Sequence, residues 1–430
     1  MSTLAEDTTA HSASIAQQAE SGVALLTGGF DRPYAYGMAM ALVQKGIRLD
    51  VIGSDEVDSP EMHTTAGLQF LKLWPSRSTN QVAVAKLSRV VKYYARLLRY
   101  TAVAEPAVFH ILWNSKVQLF DRTLLMLYYK AMGKQIALTA HNVNQGRRDG
   151  NDSLLNRLTL TMQYRLTDHI FVHSQKMKNE LIAEFGVSEQ AVTVVRHPIN
   201  DVFPDSCLTP AEAKRQLGLR NHEKAILCFG RIKPYKGIEH LLEAFQILVK
   251  DDGSYRLIIA GEVEERSKEY LNQIRRMIPA ELERNQQIVL KAQYIPDEEI
   301  ELYLKASDVM VLSYNEIFQS GVLFLGYSFG LPVIATDVGS FKEEIVEGRT
   351  GFLCRPGDPK DLARAIKTYF GSELYKNLGK TRKEIKDHAN VHHSWAAVAE
   401  LTRNAYAKLV GGERSSGFDA NVPPDCCTQG

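Results

Sequence analysis

The sequence predicts two doubly wound α/β domains. Short apolar segments alternate with amphipathic helical segments along most of the 430 residues, and a polar stretch over 201–221 interrupts this alternation once. A chain of this length is too long for one ordinary hydrophobic core, which favours two domains. Ligands of such sheets bind at the carboxyl ends of the strands, so the loops that follow the strands are where function is sought first.

The alternation and the composition of the ends divide the chain into six parts. They are a mobile N-terminus over 1–20, a first domain over 21–200, a linker over 201–221, a second domain over 222–385, a C-terminal helix over 386–410 that packs back on the first domain, and a disordered tail over 411–430. We expect the two domains to face each other across a cleft.

The first domain opens with a βαβ unit. Val23–Thr27 is an apolar strand that runs into a turn at Gly28 and Gly29. A helix over Tyr34–Lys45 and a strand over Arg48–Ile52 complete the unit. The further strands predicted here are Val108–Trp113, Gln135–Thr139, His169–His173 and Ala191–Val195.

The same pattern restarts after the linker, which is why we expect a second domain. Ala225–Phe229 is a strand, Gly230–Lys236 a loop and Ile238–Leu248 a helix. The further elements predicted here are the strands Tyr255–Ala260, Ile288–Leu290, Val309–Leu312 and Pro332–Ala335 and the helix Gly321–Phe329.

Composition narrows the class of protein. Hydrophobic residues make up 45% and charged residues 23% of the chain, as in a soluble globular enzyme, and a net charge of +1 argues against a general nucleic-acid binder. No apolar run is long enough to cross a bilayer, and the N-terminus does not have the order of a secretory signal. The five cysteines show no metal-ligand spacing, so we expect a reducing cytoplasm and no structural metal.

One region is strongly basic. From Met62 to Arg148 there are thirteen lysines and arginines against two acids, Glu105 and Asp121, a local charge of +11. Within it, basic residues recur at helical steps of three and four between apolar and aromatic side chains, at Lys86, Arg89, Lys92, Arg96 and Arg99. This pattern is typical of a helix that lies on an anionic membrane surface, and also of a surface helix packed on its own domain; we favour the membrane.

Two loops of the second domain have the composition of anion and sugar sites. Gly230–Gly237 combines two glycines with Arg231 and Lys236 between a strand and a helix, which favours a phosphate site over a merely solvated basic loop. Ser313–Gly321 follows the strand Val309–Leu312 and carries Glu316, which suits sugar hydroxyls, and then Ser320 and Gly321, which suit a diphosphate. The plain structural alternative is that Ser320 is the N-cap of the next helix and that Glu316 is a solvated loop acid.

The first domain offers two further candidates at strand ends. His141 and Asn142 follow the strand Gln135–Thr139. His141 is a candidate to donate to a sugar hydroxyl or to act at the reaction centre, although a lone histidine there is often structural. Gly28 and Gly29 permit close approach of a ligand after the first strand. They do not form the G-x-G-x-x-G pattern, which argues against a nicotinamide cofactor.

Taken together, these segments resemble the retaining glycosyltransferases of family 4 (glycosyl transferases group 1) with the GT-B fold. FGRIKPYKGIEHLLEAF is similar to the donor-phosphate segment of that family, and YIPDEEIELYLKASDVMVLSYNEIFQSGVLFLGYSFGLPVIATDVGSFKEEI to the rest of its donor domain. The likeness is strong over about 225–370 and looser over 22–200. The sequence QSG resembles a subset of bacterial polysaccharide-assembly enzymes.

The resemblance implies a hexosyltransferase with a nucleotide-sugar donor and a glycan or lipid-linked acceptor. With the cysteine pattern and the basic helix, we expect it in the cytoplasm, peripheral on the inner face of the cytoplasmic membrane. Arg231 and Lys236 match the pair that grips the donor diphosphate, Glu316 matches the first glutamate of the E-x7-E motif, and His141 matches the histidine near the donor sugar. Gly28 and Gly29 match the glycine loop that faces the donor diphosphate. The second glutamate of the motif is replaced by Phe324. The resemblance further implies no metal or other cofactor and retention by front-face attack.

Two other functions stay open at this point. The same fold serves nucleotide-sugar 2-epimerases and phosphorylases, although no segment points to a pyridoxal lysine. The missing second glutamate also fits a protein that binds a nucleotide sugar without transferring it.

Overall fold

The computed structural model describes residues 22–74, 83–115, 117–148, 150–199 and 205–411. They form two compact units. The first unit comprises the described residues up to Arg196 and those from Trp395 onward, and the second unit is His197–Ser394. The predicted mobile segment 1–20 and, apart from Gly411, the predicted tail 411–430 lie outside the described residues.

A parallel sheet forms the centre of the first unit. Its described strands are β1 (Val23–Leu26), β2 (Leu49–Gly53), β3 (Leu68–Lys72), β4 (Val108–Ile111), β5 (Gln135–Thr139), β6 (His169–Val172) and β7 (Val192–Val194). They lie in the order β3-β2-β1-β4-β5-β6-β7, and all pairs are parallel. The helices between them are α1 (Arg32–Gln44), α2 (Pro60–Thr64), α3 (Ala83–Val103), α4 (Gln118–Arg122), α5 (Leu124–Ala131), α6 (Gln145–Arg148), α7 (Leu154–Leu166) and α8 (Gln175–Phe185).

The burial of the strands explains their apolar sequences. All four residues of β1, of β4 and of β6 are buried, as expected of parallel strands that are covered on both faces. The strand order reverses direction between β1 and β4, and this reversal opens a crevice at the carboxyl ends of the two strands. The loops after β1, β4 and β5 therefore meet at one edge of the sheet.

The second unit repeats this architecture. Its strands are β8 (Lys224–Phe229), β9 (Tyr255–Ala260), β10 (Ile288–Lys291), β11 (Val309–Leu312), β12 (Val333–Thr336) and β13 (Gly351–Cys354), in the order β10-β9-β8-β11-β12-β13 and again parallel. Its helices are α9 (Pro210–Gln216), α10 (Ile238–Asp251), α11 (Lys268–Met277), α12 (Ala280–Arg284), α13 (Asp297–Ala306), α14 (Gly321–Ser328), α15 (Phe341–Glu344), α16 (Pro359–Gly371), α17 (Glu373–Lys376) and α18 (Leu378–His392). The order reverses between β8 and β11.

Two edge strands, β3 and β13, were not predicted from the sequence. In β3 no residue is fully buried, and in β13 only the two end residues are, so neither reads as a continuous apolar segment. Each is paired on one side only, at the end of its sheet. An edge strand needs less apolar surface than a central one, and its sequence signal is correspondingly weak.

The last described helix, α19 (Trp395–Val410), belongs to the first unit. It packs on α1, where a Cβ added to Gly37 would lie 2.1 Å from the Trp395 ring. Tyr406 reaches the sheet and lies 2.5 Å from Nδ1 of His110 in β4. The predicted C-terminal segment 386–410 is thus divided between the two units. Residues 386–392 form the end of α18 in the second unit, and the chain enters the first unit again at Trp395.

Candidate functional site

The loop after β8 holds a buried lysine. Lys236 is 3% exposed, and its Nζ donates to the carbonyl of Phe229 at 2.8 Å and lies 5.4 Å from the centre of the Tyr314 ring. Burial lowers the pKa of this ammonium group. An ammonium carries three donors, so the contact with Phe229 leaves capacity for the oxygens of an anion. The next residue, Gly237, has φ +59°, and a Cβ there would lie 2.3 Å from the Ser313 carbonyl.

Arg231, in the same loop, is exposed. One of its guanidinium nitrogens lies 3.5 Å from Oε1 of Glu264, and Lys233 lies 3.1 Å from the same oxygen. A separation of 3.5 Å is at the limit of a hydrogen bond, and exposed ion pairs contribute little to stability. The arginine can therefore turn from Glu264 to a ligand phosphate at small cost.

The loops after β8 and β11 are joined directly. Ser313 Oγ donates to the carbonyl of Lys236 at 3.0 Å, and the backbone N–H of Asn315 donates to the carbonyl of Tyr235 at 2.8 Å. The structure thus brings the predicted phosphate loop and the predicted acid loop to one edge of the sheet. Glu316 is exposed in the second of these loops.

The N-terminus of α14 follows the acid loop. Ser320 occupies the capping position without making a capping hydrogen bond; its Oγ lies 3.3 Å from the Tyr314 hydroxyl instead. Ser320 is thus the N-cap residue of α14, as the structural alternative had it, but its hydroxyl does not cap the helix. Because the Ser320 side chain does not take up the first amide groups, which begin at Gly321, they can receive an anion.

Gln319 was missed by the sequence analysis. Among the described residues, neither polar atom of its side-chain amide has a hydrogen-bond partner, although both atoms are buried. A buried amide without partners is costly, which suggests a ligand or water as its partner. The position of this polar residue in the acid loop, two residues before the predicted helix, was the available signal.

Phe324 takes the place of the second glutamate of the motif. Its side chain is fully buried, stacked on His197 with ring centres 4.9 Å apart and packed on His393 at 4.7 Å. The substitution has therefore made this position part of the hydrophobic core.

In the first unit, Gly28 and Gly29 form a tight turn after β1 with φ of +64° and +82°. A Cβ on Gly28 would lie 2.9 Å from Cβ of Trp113, and one on Gly29 would lie 2.8 Å from the Trp74 ring. The two tryptophans account for both glycines by packing. The expectation that the glycines serve the close approach of a ligand stays a prediction.

His141 lies in an aromatic frame at the end of β5. Its ring stacks on the Trp113 ring, with ring centres 4.4 Å apart and an angle of 2° between the planes. The Tyr34 ring meets it edge to face, with ring centres 4.8 Å apart. Nδ1 of His141 lies 3.0 Å from Nε2 of His173, which follows β6. The structure therefore gathers Gly28, Trp113 and His141 at one edge. Asn142 Oδ1 accepts from Arg148 at 3.3 Å.

The basic helix predicted from the sequence is α3. Lys92, Arg96 and Arg99 are exposed and Arg89 is half-buried, while the side chain of Lys86 lies outside the described residues. The opposite face, with Tyr93 and Leu97, is buried. These basic residues are not part of either loop cluster described above.

Two absences concern the described parts of the chain only. No helix within them is long and apolar enough to span a membrane. No group of three or more histidine, cysteine, aspartate or glutamate side chains in these ranges is placed to hold a metal ion.

Solved structures show the same fold. Sucrose-phosphate synthase from Thermosynechococcus elongatus has a TM-score of 0.71 at 18% identity, over 91% of this chain and 99% of that one. HepE from Anabaena, solved with UDP and glucose, has a TM-score of 0.69 at 15% identity, over 90% and 100%. These similarities confirm the predicted GT-B fold.

Curated relatives match part of the chain. The D-inositol 3-phosphate glycosyltransferase of Corynebacterium diphtheriae is 27% identical over 276 residues, 62% of each chain. That of Streptomyces bingchenggensis is 28% identical over 255 residues, 57% of this chain and 54% of the relative. The chain thus spans little more than half the length of these relatives.

Two family matches together take in most of the chain. Residues 33–203 match Glycosyltransferase Family 4, and residues 210–408 match Glycosyl transferases group 1. The boundary between the matches, 203–210, falls within the predicted linker 201–221. The chain therefore belongs to the glycosyltransferases of family 4, group 1, as its sequence predicted.

Proposed function

We propose that the protein transfers a hexose-type sugar from a nucleotide-sugar donor to a glycan or lipid-linked precursor with retention of configuration. The observation that carries this proposal is that buried Lys236 lies beside the first turn of α14, whose capping residue makes no side-chain capping bond. A Cβ added to Gly230 would lie 2.9 Å from Lys236 Nζ and 3.2 Å from Cγ2 of Val322 in that turn. Lys236 and the capping residue belong to loops at the carboxyl ends of β8 and β11, where the strand order reverses.

The donor diphosphate is assigned to the charged and amide groups of these two loops. Lys236 supplies a fixed positive charge and Arg231 a guanidinium fork that turns towards the phosphates, while the first amides of α14 complete an anion site. As the bond to the sugar breaks, negative charge grows on the leaving diphosphate, and donors already held in place stabilise it. These cations make a bound metal unnecessary in the proposed reaction.

The sugar is assigned to Glu316, His141 and Asn142 on the strength of the family resemblance. Glu316 is an exposed carboxylate in the loop that Ser313 ties to Lys236, a position that suits sugar hydroxyls. Retention by front-face attack, with the leaving phosphate taking the proton of the acceptor, is part of the same proposal. The UDP and glucose in the HepE structure make UDP-glucose the first donor to test.

Donor binding is tested by thermal melting with UDP, GDP, ADP, dTDP and their sugar conjugates. A ligand that binds only the folded state raises the melting temperature, and one nucleotide is expected to do so. Arg231→Ala removes a charge-assisted contact and should weaken binding of that nucleotide by about 1.5–3 kcal/mol. Lys233→Ala is the matched control, because it removes the same charge from the same loop and should bind as the wild type does.

Equal affinities in Arg231→Ala and wild type would overturn the assignment of the phosphate site. Proton NMR of the first-formed product then reads the anomeric configuration, and inversion would contradict the proposed mechanism. Epimerised donor in the absence of acceptor would favour the epimerase alternative. Donor binding without turnover over a broad acceptor panel would favour a non-catalytic protein.

We further propose that the first unit docks on an anionic membrane, where a lipid-linked acceptor would be found. The helix α3 contains no acidic residue, and it exposes Leu87 and Val91 beside Lys92, Arg96 and Arg99. Such a mixture of apolar and basic side chains suits the boundary between acyl chains and anionic headgroups.

A second apolar feature lies next to α3. Tyr94 of α3 donates to Asp121 of α4 at 2.7 Å, and Tyr128 of α5 donates to the Leu98 carbonyl at 3.1 Å. The helices α4, α5 and α7 pack on one another. They carry a leucine surface, made of the exposed residues Leu119, Leu124, Leu127, Leu154, Leu155 and Leu158. An apolar surface beside basic residues supports a bilayer as its partner.

Flotation with vesicles of phosphatidylglycerol and phosphatidylcholine tests the docking. Replacing Lys86, Arg89, Lys92, Arg96 and Arg99 by glutamine should abolish binding at low salt, because attraction to anionic lipid is worth about 1 kcal/mol per basic residue. The matched control replaces five exposed lysines of the second unit, Lys342, Lys360, Lys376, Lys380 and Lys383, and should float as the wild type does. If both variants lost vesicle binding equally, net charge alone would explain the binding, and the proposed docking through α3 would be contradicted.

A further inference from the structure

Two imidazoles meet at the carboxyl ends of the neighbouring strands β5 and β6. Nδ1 of His141 lies 3.0 Å from Nε2 of His173, and Nδ1 of His173 lies 3.0 Å from the carbonyl oxygen of Val195. His173 is 1% exposed. The three groups therefore form one hydrogen-bonded chain that connects the backbone just beyond β7 to His141.

The partners determine the direction of each hydrogen bond. A carbonyl oxygen only accepts, so Nδ1 of His173 carries a proton. A neutral imidazole has one N–H, which leaves a lone pair on Nε2 of His173. Burial lowers the pKa of His173 to about 4, so the residue is neutral near pH 7. Nδ1 of His141 must then be the donor to His173.

The orientation of the His141 ring is held independently of its protons. Trp113 stacks on the ring within 2° of parallel and sets its plane. Tyr34 meets it at 80°, 4.8 Å away, and limits its movement along that plane. The bond to His173 then selects which edge of the ring faces β6. The direction of the Nε2 atom is thereby fixed as well.

We infer that His173 is a positioning residue: in the neutral form of His141 it selects the tautomer protonated at Nδ1, so that Nε2 of His141 presents a lone pair. A group with a lone pair accepts a hydrogen bond, and a hydroxyl of a bound sugar is the donor it suits. This reverses the role expected from the sequence, in which His141 donates to the sugar. The identity of the sugar rests on the proposed function, whereas the tautomer does not.

Long-range proton–nitrogen NMR of 15N-histidine protein at pH 7.5 reads the tautomer directly. We expect the His141 signals of a ring protonated at Nδ1 in the wild type. In His173→Leu the acceptor is gone, and His141 should shift to the form protonated at Nε2. In His173→Gln the amide can accept from His141 through Oε1 and donate to Val195 through its nitrogen, so the wild-type tautomer should persist.

Kinetics provide the second measurement. His173→Leu should lower kcat/KM for transfer about tenfold, and His173→Gln should restore most of it. A His141 ring protonated at Nε2 in the wild type, or an unchanged tautomer in His173→Leu, would overturn the inference. The NMR signals of His110 and His169 report whether a variant still folds. Wild-type protein with the expected tautomer and without transfer would instead count against the proposed function alone.

Discussion

Lys236, in the proposed phosphate site, shows how burial changes the electrostatics of a single side chain. Burial disfavours its charge and lowers its pKa, while the Phe229 carbonyl and the face of the Tyr314 ring provide partial compensation. A phosphate brought beside it would restore the lost solvation, so part of the binding free energy is already prepared in the folded protein.

Gln319 leads to a prediction at the same scale. Replacing it by leucine removes a buried amide that has no partner among the described residues, so the ligand-free protein should gain about 1–3 kcal/mol of unfolding free energy. Binding of the nucleotide sugar should weaken at the same time, if the donor is the missing partner. Urea unfolding and isothermal titration measure the two effects.

Gln273→Leu is the control for this change, because Gln273 is exposed on α11 and should affect neither quantity. A stabilised Gln319→Leu protein with wild-type affinity would assign the amide to a buried water instead of the donor.

At the scale of elements, the junction of two loops decides the form of the proposed phosphate site. The short 3-10 turn Pro234–Lys236 ends at Gly237, which starts α10 from a left-handed conformation. This geometry brings the backbone of one loop against the Ser313 carbonyl of the other. A side chain at Gly237 would not fit between the two loops. The proposed phosphate site therefore depends on this glycine, although it has no polar side chain.

Gly237→Ala should therefore destabilise the second unit by about 2–5 kcal/mol, the sum of left-handed strain and a steric clash. Gly348→Ala is the matched control. Its φ is +72°, and no atom lies within 4 Å of the added Cβ, so only the strain of about 1–2 kcal/mol should appear. Calorimetry compares the two variants, and equal losses would contradict the proposed clash.

At the scale of the whole molecule, the buried histidines of the first unit couple its stability to pH. His110 bonds to Tyr406 of α19 and to Thr139 at 2.8 Å, and His169 bonds to Thr193 at 2.9 Å. Burial lowers the pKa of His110 to about 3 and the pKa values of His169 and His173 to about 4. Their ordinary value in an unfolded chain is about 6.5.

The free energy of unfolding should therefore be greatest above pH 6.5 and fall as the pH is lowered towards 4. The reason is that these histidines bind protons in the unfolded chain but stay neutral in the folded unit over this range. The loss should reach up to about 4 kcal/mol per pH unit for three histidines. Urea unfolding at pH 7.5, 6.5 and 5.5 measures this slope. His110→Gln should reduce it by about a third, whereas the exposed His222→Gln should not change it. A midpoint that does not change with pH would contradict the prediction.

The central strands and the glycine loops were predictable because they depend on local order in the sequence. A strand covered on both faces must be a continuous apolar segment, and a sharp turn between a strand and a helix needs glycine. The strands β1, β4, β5, β8 and β11 and the loop Gly230–Gly237 were found in this way. The edge strands β3 and β13 were not, because half of their surface stays open.

The sequence by itself determined the alternation of strands and helices, the two-unit division and the residues that carry charge after each strand. Only the tertiary structure decided that Ser320 makes no capping bond, that Phe324 is core, that Trp113 and Trp74 fill the space beside the glycine turn, and that His173 directs the proton of His141. Such facts join residues far apart in the chain, such as His141 and His173 on neighbouring strands. A pattern along one strand contains no information on which side chain its neighbour brings alongside, since packing between elements, not order within them, sets that contact.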